Sequence, residues 1–90
     1  MKVVMLGEIR RIGIEVYSKS GNDFAIDSAE YDITRSDSAQ TVISSGVPRI
    51  EDKKITMLFN ASELGQYYVI FTFHIKDETL KAKVLVRVVK

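Results

Sequence analysis

The chain has no cysteine and no tryptophan, a single proline and a single histidine. Without cysteine there are no disulfides, no thiolate metal ligands and no thiol nucleophile, so packing must hold the fold without the staples common in small secreted domains. Charge of one sign is lacking as well. Thirteen Lys and Arg stand against twelve Asp and Glu, a formal net charge of +1, and no overall field draws the chain to nucleic acid or to an anionic membrane. Long hydrophobic runs are missing too. The stretch Met1-Lys2-Val3-Val4-Met5-Leu6 breaks at Gly7-Glu8, far short of a signal h-region or a membrane span. Cytoplasmic synthesis and residence are therefore expected, and assembly from there into a larger particle would need no export signal either.

Apolar types make up 46% of the ninety residues, enough for a real core in one small domain over residues 1–90 and too short a chain for two. The dominant pattern is alternation of period two, broken by polar clusters, which reads as antiparallel sheet. Ile12, Ile14 and Val16 alternate with Arg11, Gly13 and Glu15, with Gly13 marking a bulge. Ser18 to Asp23 is a turn by residue type. Phe24 and Ile26 then close one end of the core, and Ala29, Tyr31 and Ile33 form the next inward set. Arg35-Ser36-Asp37-Ser38 turns again, a weaker edge strand covers Gln40 to Ser44, and Gly46 and Pro48 punctuate the middle.

The clearest strands come last. Ile55, Met57 and Phe59 alternate with Thr56 and Leu58; Tyr67, Val69, Phe71, Phe73 and Ile75 share one face; after Lys76 to Thr79 the chain resumes with Leu80, Ala82, Val84, Val86 and Val88. About seven short strands without a repeat or linker suit a β-sandwich, with a small open barrel as the rival.

Glu63-Leu64-Gly65-Gln66-Tyr67 has the spacing acid-x-Gly-x-Tyr and resembles the tyrosine corner of immunoglobulin-like domains, in which the Tyr hydroxyl bonds upstream backbone. Val69 stands where antibody domains carry a Cys, so the resemblance is to disulfide-free members. The order Gly7-Glu8, the Ser-Gly-Asn turn, Phe24 to Ala29 and the Leu64-Gly65-x-Tyr67-Tyr68 step is similar to the small N-terminal sandwich domains of tailed-phage baseplate and tail proteins. That resemblance implies an all-β, immunoglobulin-like antiparallel sandwich of about seven strands, and a structural or docking role in a virion or prophage product. It carries no catalytic residue with it.

Chemistry finds little foothold in the residues. His74 points outward by alternation and has neither a second imidazole nor an obvious acid on its own strand face. The glycines fall singly, so no loop cradles phosphate. The acidic pairs Glu51-Asp52 and Asp77-Glu78 read as solvated hairpin ends rather than calcium ligands. No enzyme activity, metal or cofactor is expected.

One surface has an apolar excess. Tyr68, Ile70 and Leu85 point outward on the last two strands beside Lys81, Lys83 and Arg87. Such a patch suggests a protein partner or a homo-oligomer, and its basic residues also serve as a guard against edge aggregation. The competing reading has loops or Val3 to Leu6 covering the patch within the chain. A different class of function, carbohydrate binding, would draw on Tyr17, Tyr31 and Tyr68.

Overall fold

Period-two alternation becomes eight strands in two facing sheets, a sandwich-like all-β fold. The computed structural model describes residues 1–17, 24–36 and 38–90, the last segment with side chains from 41 onward. The turn at 18–23 and Asp37 of the second polar turn lie outside the described residues. The strands are β1 (Lys2–Met5), β2 (Ile9–Glu15), β3 (Ser28–Arg35), β4 (Ser38–Gly46), β5 (Arg49–Glu51), β6 (Lys54–Asn60), β7 (Gly65–Ile75) and β8 (Glu78–Val89). One sheet has the order β1-β8-β7-β3-β4 and the other β2-β6-β5.

The core lies between the sheets. Ile33, Val69, Phe71 and Val86 point into it from the first, and Ile12, Ile55, Met57 and Phe59 from the second; all are buried. Each comes from an alternating run, because a strand that covers a core on one face and meets water on the other must switch side-chain type at every residue.

Four features differ from the sequence expectation. Eight strands are present among the described residues rather than about seven, and the first sheet is mixed rather than antiparallel, since β1 runs parallel to β8. The run Lys2-Val3-Val4-Met5 is too short and too evenly apolar to encode a direction. Its placement comes from Val4, fully buried against the core, and from the crossing into the other sheet. Leu6 N donates to Val89 O at 2.7 Å, Gly7 N to Ala61 O at 2.8 Å, and Ala61 N to Glu8 O at 2.9 Å.

The other two differences concern register. The weaker strand is longer than Gln40 to Ser44, and the irregular pairing lies there, between β3 and β4 around Thr34. Gly13 marks no bulge, because β2 pairs with β6 in unbroken register from Ile9–Asn60 to Glu15–Lys54. Its role is close approach. A Cβ at Gly13 would meet the Ile55 carbonyl oxygen and come within 2.6 Å of Thr56 Cγ2. Gly13→Ala is therefore expected to destabilise by about 1–3 kcal/mol through overpacking, read as a lower urea midpoint at constant slope. An unchanged midpoint would show that the two strands can separate without penalty.

Candidate functional site

Pairing on both sides of β7 orders the outer face of the five-stranded sheet into rows. Across β8, β7 and β3 these are Lys81–Thr72–Glu30, Lys83–Ile70–Asp32 and Leu85–Tyr68–Thr34. Directly paired residues in antiparallel strands share a face, so the structure brings Tyr68, Ile70 and Leu85 together as neighbours. All three are half-buried. Lys83 Nζ lies 4.6 Å from the Tyr68 ring centroid, so its ammonium covers the aromatic face in a cation–π contact.

The N-terminal segment does not cover this patch. Strand β1 lies beside β8 in the plane of the sheet, where Val3 pairs with Arg87 and Met5 with Val89. Val3 and Met5 are themselves exposed and widen the apolar margin instead of closing it.

The same face carries charge in two columns. Lys81 and Lys83 stand on β8, Glu30 and Asp32 on β3, with uncharged Thr72 and Ile70 between them. Asp32 is half-buried, and its carboxylate has no ion pair or hydrogen bond among the described residues. Thr34, 1% exposed, has a hydroxyl with no partner among the described residues.

At the far end of the rows, His74 Nδ1 lies 3.2 Å from Thr79 Oγ1 and Nε2 lies 3.4 Å from Glu30 Oε1. The acid that the sequence did not display on the histidine's own strand comes from β3, forty-four residues away in the chain. These contacts tie β3, β7 and β8 together on an open strand surface away from the one cleft described below. No group of three or more His, Asp or Glu side chains suited to a metal exists among the described residues. The acidic pairs sit at hairpin turns. Asp52 takes φ 55 beside Lys53, and Glu51 is ion-paired with Arg49.

The acid-x-Gly-x-Tyr step forms a bonded corner at the start of β7. The Tyr67 hydroxyl donates to Glu63 O at 2.9 Å, and its ring meets Phe59 edge-on at 5.6 Å. Arg35 lies over the same ring, 5.1 Å from its centroid. It donates to Glu63 Oε2 at 3.0 Å and to Leu64 O at 3.3 Å. Gly65 takes φ +136, and a Cβ there would stand 3.1 Å from an Arg35 nitrogen, so only glycine suits both the backbone and the flat guanidinium. Sequence reading placed Arg35 in a polar turn. The available signal was parity, because Tyr31, Ile33 and Arg35 continue one inward alternation.

Beside this corner a cleft of about 440 Å³ opens between β4 and β6, lined by Tyr31, Ile43, Leu58 and Glu63 among others. It exists because β5 pairs only with Lys54 to Thr56, leaving the rest of β6 without a neighbour on that side. The three tyrosines considered for carbohydrate do not form one platform. Tyr31 lines the cleft, Tyr68 faces outward under Lys83, and Tyr17 follows β2 of the other sheet. Comparison with protein-family models, curated proteins and solved structures finds no match.

Two measurements test this geometry. Tyr67→Phe should cost about 0.5–1.5 kcal/mol, the net worth of one hydrogen bond, and Gly65→Ala about 1–3 kcal/mol from strain at positive φ; equal stability of either variant and the wild type in chemical denaturation would remove the corner as a stabilising element. Thr34→Val should be neutral or stabilising by about 1 kcal/mol, because it deletes, at nearly constant shape, a buried hydroxyl that has no partner among the described residues. A marked loss of melting temperature would mean that the hydroxyl is satisfied.

Proposed function

We propose that the chain is a non-catalytic structural or protein-binding module, an immunoglobulin-like sandwich whose contact is the outer sheet face around Tyr68, Ile70 and Leu85. The observation that carries this reading is that, among the described residues, β1 does not close this face and its apolar side chains stay half-exposed. Three large apolar side chains adjoin one another on a surface that β1 extends rather than shields. Burial by a partner would be worth about 1.5–3 kcal/mol for each such side chain if it were fully exposed beforehand, and less for these half-buried ones.

Strand order supports the immunoglobulin-like part. Strands β8, β7, β3 and β4 against β2, β6 and β5 correspond to the arrangement of the G, F, C and C′ strands against B, E and D in that fold. The bonded Tyr67 lies where its corner tyrosine stands. A place in a phage or prophage tail or baseplate assembly rests on the motif order Gly7-Glu8, Phe24 to Ala29 and Leu64 to Tyr68.

Gene neighbourhood tests the assembly role: flanking tail, baseplate or portal genes support it, and flanking carbohydrate-processing genes together with binding on a glycan array overturn it. The contact face is tested by Ile70→Lys with Leu85→Lys. The double variant is expected to keep the β-sheet circular dichroism and lose no more than about 1–2 kcal/mol of stability, since both positions are at the surface. An unfolded double variant would assign both side chains to the core and remove the contact.

A further inference from the structure

We infer that the occupant of this face is a second copy of the chain, docked face to face about a two-fold axis that runs along β7. The inference rests on reading the face as a protein contact, and the charge pattern supplies the partner. Lys81 and Lys83 form a basic column on one side of β7, and Glu30 and Asp32 an acidic column on the other, matched row by row. A rotation of half a turn about β7 exchanges the two sides and preserves the rows. Lys83 then faces Asp32 of the other copy, Lys81 faces Glu30, and Ile70 and Tyr68 lie close to the axis against their own equivalents.

A partner of uniform charge would meet one column with like charge. A copy of the same face meets both with opposite charge, the self-complementarity that an isologous interface requires. Within one chain the columns stand on either side of β7, roughly 10 Å apart at the usual strand spacing, and neither Asp32 nor Lys81 has an ion-pair partner among the described residues. The margins agree with this. The same rotation carries β1, with exposed Val3, toward β4, whose exposed Val42 pairs with Thr34. At the usual strand spacing, four strands over roughly seven residues each and the shorter β1 (Lys2–Met5) present about 500 Å² per copy. The pair would bury about 1,000 Å², at the lower limit for a specific interface.

The experiment is a charge swap followed by light scattering and native mass spectrometry on the full chain. Wild type is expected to dimerise. Lys83→Glu and Asp32→Lys, each alone, place like charges at two symmetric contacts and should raise the dimer Kd on the order of a hundredfold. Mixing the two single variants should restore a dimer containing one of each, because both contacts then pair opposite charges. Lys81→Glu mixed with Glu30→Lys repeats the test at the neighbouring row, and circular dichroism checks that every variant is folded.

A wild-type chain that stays monomeric up to its solubility limit overturns the inference, while the module reading remains to be judged by gene neighbourhood and glycan binding. A wild-type dimer indifferent to the single reversals, or folded single variants whose mixture stays monomeric, overturns the two-fold pairing.

Discussion

Strand β7 is the constraint on which the rest of the structure depends. Val69 and Phe71 are fully excluded from water, and Tyr67 and Phe73 nearly so. The strand is paired over most of its length by β8 on one side and β3 on the other. Shifting its register by one residue would turn these side chains toward solvent and Tyr68, Ile70 and Thr72 toward the core. The inward set thus locks the register, and the locked register sets which residues meet on the outside. The rows of the outer face follow from a decision made in the core.

A second consequence comes from unequal sheet widths. Five strands face three, and β5 pairs with only the first part of β6. The wide sheet is closed at its end by the corner where Tyr67, Arg35 and Glu63 meet over Gly65. The Arg35–Glu63 ion pair is largely solvent-exposed and adds little by charge alone. The stacked guanidinium contributes more by covering the Tyr67 ring and bonding the Leu64 carbonyl. Next to that corner the cleft remains open because no strand continues the narrow sheet.

Charge on the outer face is arranged rather than accumulated. A net charge of +1 hides a basic strand and an acidic strand flanking a neutral one. Like charges beside one another along β8 cost little in water, where screening is strong. Neither charged strand is an edge, because β1 and β4 bound the sheet, so the basic residues of β8 do not act as a guard against edge pairing. The same arrangement makes the surface complementary to itself.

The alternation of Tyr67 to Ile75, Ala29 to Ile33 and Ile55 to Phe59 determined the all-β class and most inward residues, because one wet and one dry face impose a period of two that is written locally. It also singled out Tyr68, Ile70 and Leu85 as outward, since parity assigns faces without knowledge of neighbours. Partnership was another matter. That β1 joins β8 in parallel, that Glu30 meets His74, that Arg35 meets Tyr67, and that Lys83 and Asp32 flank one Ile70 all depend on which strands lie side by side. Gly13 belongs with these, because its requirement is the passage of β6 at close range. A strand's own residues say which way its side chains point, but neighbours far apart in the chain are chosen by packing the whole core at once, and only the tertiary structure decides them.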